Sequence, residues 1–409
     1  MFTANDRLIL KQLADRVHEI ASLPIQQEKR KMWGRHTALK HGVPPIFVWP
    51  DGAWPELIPT LQCEDGFARE VEWELRQRLF RWEYIRDDTP IEDHFDIPMS
   101  SIPINDGWGL PVLRRQAQGR GAWHHQPVIE DPADWKKLKK PSLDVDDRGA
   151  QEKAKQLKDA VGDALHVNVF GIKSFHFHLA HIYCDYRGMD NFLMDLIDDE
   201  EMVKDVFAFL AEGMEGLVKQ ARDMNLVASN NDYTFHYTGG VGYCDDLPAY
   251  TDGPVGLGDI WGAAEAQEYS CVSPEMFCRT MLPFEKKLLE PYGLNGYGCC
   301  EDLTEKLDEI LEIRNLRRVA ACPWANLGKM AQRLKKDYIL TWKPNPSYLA
   351  EETLNEQGLE TYMTESLMAA KEGYPEIILR DTHTCRFEPE RFTKFVEITR
   401  RAIEKVYNL

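Results

Sequence analysis

The chain has 409 residues, 43% of them hydrophobic and 28% charged, with a formal net charge of −18. That length and composition bury a full core and exclude a disordered or low-complexity protein. The acidic balance excludes DNA, RNA and anionic membranes, all of which it would repel, and no apolar run reaches the roughly 18–20 residues of a membrane span.

Residues 1–40 carry Leu8, Leu10, Leu13, Val17, Ile20 and Leu23 at three- and four-residue steps, the spacing of an amphipathic helix. Residues 44–50, apolar and bounded by prolines, predict the first buried strand. Residues 86–130, rich in Asp, Pro, Gly and Trp, predict a long excursion with one or two strands. From there strands and helices alternate. Strands are expected at 165–170, 226–230, 293–298, 317–321, 338–342 and 376–380. Helices are expected at 189–224, 303–313, 328–335, 354–371 and 389–407, and Ser273-Pro274-Glu275 is a start signal for a helix through Leu289. Repeated strand–helix units imply parallel strands, and a long series of them favours a closed α/β barrel, (β/α)8, over an open sheet. No Gly-x-Gly-x-x-Gly opens a helix after a strand. The expected organisation is a helical extension over 1–43 and a barrel over 44–409.

The N-terminus lacks the charged-then-apolar pattern of a signal peptide. Nine cysteines, an odd number without a framework spacing, fit a reducing compartment, so a cytoplasmic protein is expected. Short basic runs at 28–31 and 136–140 read as solvated faces.

Reactive groups of such barrels lie on the loops after the strands. Gly298-Cys299-Cys300-Glu301 offers thiols and a carboxylate to a metal such as zinc, although one Cys can equally be packing, since neighbours on a strand face opposite ways. Asp381-Thr382-His383-Thr384-Cys385 follows the last strand, and alternation lets His383 and Cys385 point together. Asp232 and His236, after the 226–230 strand, are acid/base or orienting candidates, or turn residues. Glu265 and Glu268 share a face if helical, which also describes an ordinary charged face. His176, His178 and His181 form a cluster better suited to a substrate pocket than to a metal.

Six segments resemble the uroporphyrinogen decarboxylase superfamily, which includes zinc-dependent methyltransferases serving corrinoid proteins. They are the run from Tyr186-Arg187-Gly188 to Leu193-Met194-Asp195-Leu196; Val272-Ser273-Pro274-Glu275-Met276-Phe277; Pro283-Phe284-Glu285-Lys286-Lys287; Lys343-Pro344-Asn345-Pro346; and the strand ends at 298–301 and 382–385. The resemblance runs from about residue 30 to the end and implies a barrel of that type. It places Cys300 at the zinc-ligand Cys, whereas Gly298 stands where the ligand His is expected. His383 or Cys385 falls at the late ligand, with Glu301, Glu265 or His236 to fill the gap. Arg115-Gln116-Ala117-Gln118-Gly119-Arg120 is similar to the decarboxylases' porphyrinogen-gripping motif but carries an inserted Gln and sits too far along the chain.

The resemblance implies a methyltransferase moving a methyl group between a small methylated compound, such as an aromatic methyl ether, and a corrinoid protein. A zinc ion on Cys300, His383, Cys385 and Glu301 would assist as a Lewis acid. Asp232, His236 and Glu268 are the expected catalytic groups, and Tyr237, Trp261, Glu265, Tyr297 and His178 the expected substrate contacts. A decarboxylase acting on a porphyrinogen or another acid is the alternative enzyme, and a metal-free binding barrel the alternative of another class. The family's habit also implies a homodimer.

Overall fold

The computed structural model describes residues 1–40, 42–103, 107–116 and 123–408; residues 117–120 of the arginine-rich segment lie outside them. Its strands, in chain order, are β1 (Ile46–Val48), β2 (His94–Pro98), β3 (Leu113–Gln116), β4 (Trp123–Gln126), β5 (His166–Phe170), β6 (His176–Phe177), β7 (Trp261–Ala264), β8 (Leu294–Tyr297), β9 (Leu316–Ala321), β10 (Ile339–Trp342) and β11 (Tyr374–Leu379). Seven of them form one sheet in the order β1-β11-β10-β9-β8-β7-β6, with every pair parallel. β7 to β11 are short runs with no exposed position, as expected of strands covered on both faces.

The expected ring of eight strands appears among the described residues as this seven-stranded sheet, without a strand ladder that closes it. β5 pairs instead with β2, in parallel and apart from the main sheet, and β3 and β4 form an antiparallel pair. The strand expected at 226–230 is reduced to isolated bridges, Ile172 with Val227 and Ala228 with Pro254. The reason lies in one side chain. The Asn230 side chain takes the partners a ladder would have used, donating to the carbonyls of Lys173 (2.9 Å) and Trp261 (3.0 Å) and accepting from the Trp261 amide (2.9 Å).

Two long helices expected from periodicity are each broken by a cap. Pro24 starts a second helix, Pro24–Thr37, after Ala4–Ala21. Asp199 ends Met189–Asp198 and caps Glu200–Asp223, accepting from the Met202 amide at 3.0 Å. Met281 likewise separates Pro274–Thr280 from Leu282–Leu289.

The largest core lies between the main sheet and its helices. A second core includes Leu10, Val17, Leu75, Ile97, Leu157 and Val167. It joins the helices Ala4–Ala21, Gly66–Phe80 and Asp147–Val161 to the β2–β5 ribbon, so the N-terminal helix packs as part of that layer. Among the described residues, no helix is long and apolar enough to cross a membrane.

Candidate functional site

The residues that follow β1, β6, β7, β8, β10 and β11 lie at the same end of the parallel sheet. A cavity of 710 Å³ opens there, walled by the ends of β1 and β2, the 170–174 and 233–237 loops and the helix Gly66–Phe80. Phe47, Trp49, Trp73, Tyr233, Phe235 and Tyr237 make its wall largely aromatic.

Three cations, Arg78, Arg81 and Lys173, belong to this wall, and Lys173 is held by two carboxylates. Lys173 is buried and donates from Nζ to Asp232 Oδ2 at 2.7 Å and to Asp96. Tyr233 Oη donates to Asp96 Oδ2 at 3.1 Å, and Arg78 lies 5.5 Å from the Tyr233 ring. Burial alone would discharge the lysine, but the two carboxylates outweigh it and raise its pKa above the ordinary value. Asp232 is pushed up by burial despite the lysine beside it; the 2.7 Å contact supports an ion pair. An ammonium has three protons to donate, and two are committed to carboxylates here.

A second cluster sits at the ends of β6, β7, β8 and β10. His176 and His178 flank one another with ring centroids 3.6 Å apart, and Tyr237 lies 3.6 Å from His176 and 4.8 Å from His178. His178 Nδ1 is 2.6 Å from Glu265 Oε1. Burial, with His181 nearby, lowers His178 to about 3, and burial with Glu301 and Glu268 close by pushes Glu265 well up. This pair therefore holds its proton between two neutral groups. Cys299 Sγ is 3.5 Å from Cys300 Sγ and 3.4 Å from Lys343 Nζ. The hydrogen bond from Cys300 lowers the Cys299 thiol to about 7 against burial, with help from Lys343.

The structure brings Asp232, Tyr237, His178 and Glu265 into these two adjoining clusters. Glu268 is buried at their edge, 3.1 Å from His181 Nδ1. Other candidates go elsewhere. Trp261 opens β7, at the far end of the sheet, where its indole donates to the Gly242 carbonyl at 2.8 Å. His236 lies against Trp261, ring centroids 4.8 Å apart, and burial lowers it to about 3. Tyr297 donates to Glu285 Oε2 at 2.6 Å in a fully buried pair. Of the expected catalytic and substrate residues, Tyr237 lines the 710 Å³ cavity, whereas Asp232, His178, Glu265, Glu268, Trp261, His236 and Tyr297 do not.

The expected zinc ligands are not assembled. Glu301 spends one oxygen on the Cys299 amide (2.8 Å) and the other on the Ala266 amide (3.1 Å). Cys385 is buried against Glu56, with its amide donating at 3.0 Å, while His383 and Cys300 are exposed. Among the described residues, two groups of three have ligand atoms within 4.8 Å of one another, and neither contains Cys300, Glu301, His383 or Cys385. A resident zinc does not fit those four residues, and no chemistry is derived through one there.

Lys173, Asp96, Tyr233, Arg78 and Lys343 escaped sequence reasoning. A signal existed for the two lysines: each immediately follows an apolar run, Val169-Phe170-Gly171-Ile172 or Ile339-Leu340-Thr341-Trp342, at a strand's C-terminal end. A charge placed there is buried and faces the mouth.

No protein-family profile matches the chain, and no curated protein is similar to it in sequence. Among solved structures it is similar to a methyltransferase from Methanosarcina mazei, at 10% identity and a TM-score of 0.47, over 93% of this chain and 99% of that one. A likeness of that degree identifies neither family nor activity.

Proposed function

We propose that the chain is a methyltransferase that removes the methyl group of a small aromatic methyl ether held in the 710 Å³ cavity. The observation that carries the reading is Lys173, a charged ammonium in an aromatic wall with one proton left to donate. The cavity's size and lining suit a small aromatic molecule. When a nucleophile attacks the methyl carbon, the aryl O–CH3 bond breaks and its electron pair goes to oxygen. An ammonium already fixed beside that oxygen stabilises the developing phenolate. Lys173 would then perform the polarising role that the resemblance gives to zinc. Asp96 and Asp232 hold the ammonium in place. The acceptor is assigned, on the resemblance alone, to a corrinoid-carrying partner protein.

The wall also weighs against a porphyrinogen. Glu70, Glu74, Glu92 and Asp96 share it with Arg78, Arg81 and Lys173, so several substrate carboxylates would be left without counter-ions.

The test offers the protein a panel of methoxylated aromatics with a reduced free corrinoid as acceptor and follows release of the phenol. Demethylation is expected, falling about a hundredfold or more in Lys173→Met and partly restored in Lys173→Arg. Undiminished turnover by Lys173→Met, or carbon dioxide release as the only reaction, would overturn the reading.

A further inference from the structure

A cluster of possible ligands lies at the opposite end of the β2–β5 ribbon from the cavity. The parallel register sets His94 and His166, the first residues of the two strands, side by side. Their ring centroids are 4.6 Å apart. Asp252, from the loop before β7, reaches over so that its Oδ2 lies 3.0 Å from His166 Nε2. One ligand atom from each of the three residues falls within 4.8 Å of the others. All three side chains are open to solvent, with His166 and Asp252 about half exposed.

We propose that His94, His166 and Asp252 form a binding site for a divalent transition-metal ion of the zinc class. Two imidazoles and a carboxylate are a ligand set zinc accepts, with a remaining position for water. The three come from three separate segments, and their immediate neighbours hold them in place. Tyr250 Oη donates to Asp252 Oδ1 at 3.0 Å, and Asn168 Nδ2 donates to Tyr250 Oη at 3.3 Å. Asp93 Oδ1 lies 4.0 Å from His94 Nδ1, and its Oδ2 lies 2.9 Å from His18 Nδ1. Partners of this kind orient ligands and raise affinity.

Such an ion would clip the 250–252 loop to the ribbon. The clip reaches the cavity through one side chain, because the Tyr250 ring centre is 5.1 Å from Lys173 Nζ. Only this consequence rests on the reading of Lys173 as a working group; metal binding does not.

Cobalt(II) titrated into the metal-free full chain gives a visible spectrum that distinguishes ligands. One saturable site is expected, with no thiolate-to-metal charge-transfer band. It is expected to disappear in His94→Ala and His166→Ala and to weaken by about tenfold or more in Asp252→Asn. Melting without metal is expected to be unchanged in these surface variants, and zinc should raise the melting temperature of the wild type but not of His94→Ala or His166→Ala. No saturable binding, or a thiolate-type spectrum indifferent to His94→Ala and His166→Ala, would overturn the site. Demethylation that fails while cobalt still binds would count against the cavity reading and leave the metal site standing.

Discussion

Lys343 Nζ lies 3.4 Å from Cys299 Sγ and donates to the same residue's carbonyl at 3.0 Å. The lysine is buried, so this contact brings a positive charge to a thiol at the mouth of the sheet. Low-pKa thiols arise in such surroundings.

Cys299 is therefore expected to react as a thiolate near neutrality, while the hydrogen bond it receives pushes Cys300 up. In a Cys300→Ser background, which keeps a donor, alkylation by iodoacetamide read by mass spectrometry should rise as pH passes through about 7. Adding Lys343→Gln should move that midpoint up by about one unit or more. A rate that rises only near the ordinary thiol value of 9.0 would remove Cys299 from the reactive groups.

The His178–Glu265 pair makes the opposite prediction about charge. Because both partners are held neutral, Glu265→Gln keeps the shape and the hydrogen bonds and should change stability by less than about 1 kcal/mol. Glu265→Ala strands the buried imidazole nitrogen and also the Gln267 amide that Glu265 Oε2 accepts at 2.9 Å, at about 1–3 kcal/mol. Urea unfolding of the two variants checks this; equal losses would mean that the pair carries charge.

How much of this was legible in the sequence depends on distance along the chain. Part of the parallel sheet was, because β8 to β11 are local apolar runs each followed by a helix, whereas β6 and β7 do not announce themselves. The breaks at Pro24 and Asp199 were local too, yet periodicity alone ran through them, since a cap interrupts the backbone without disturbing the apolar spacing. The 226–230 strand could not be corrected from sequence, because Asn230 finds Lys173 and Trp261 only after folding. The strand-end rule drew attention to Asp232 and the 298–301 turn, whereas Glu265 follows β7, a strand the sequence did not announce, and was singled out only by its spacing from Glu268. The Lys173–Asp96 pairing spans 77 positions and left no local pattern. Cys385 illustrates the limit of alternation: it shares a side with His383 in an ideal strand, but the backbone turns left-handed at Asp381, Arg386 and Phe387, and the thiol ends against Glu56.

Removing the Lys173 charge leaves buried Asp232 and partly buried Asp96 without their shared counter-ion. Lys173→Met should cost about 3–5 kcal/mol, and adding Asp232→Asn should recover part of that loss. Lys173 has its pKa raised above 10.5 in the fold, so its contribution is complete below that pH and disappears as pH rises through the folded value. Chemical denaturation of the wild type and both variants at neutral and strongly alkaline pH is the check. A single-variant loss no greater than that of the double variant would deny the pairing.

Gly171 tests the joint between the ribbon and the sheet. A Cβ there would run into the Leu226 carbonyl, whose oxygen accepts from the Ile172 amide at 2.6 Å. Gly171→Ala should therefore lower stability by about 3 kcal/mol. It should also displace Lys173, seen as loss of ligand binding in the cavity before global unfolding. A variant with wild-type melting would show that the backbone yields there at little cost.

The β2–β5 ribbon has a kinetic consequence. Each strand from β7 to β11 has a partner on both sides, whereas among the described residues β2 and β5 have ladder partners only in each other. The cavity is thus enclosed by one stiff wall and one compliant wall, and Asp96 rides on the compliant one. Local opening follows the weakest set of bonds, so hydrogen exchange at Phe95 and Val167 should outpace that at Val319 and Leu340. An outward swing of the ribbon would leave the main ladder unbroken, so the cavity would widen on one side while its floor stays fixed.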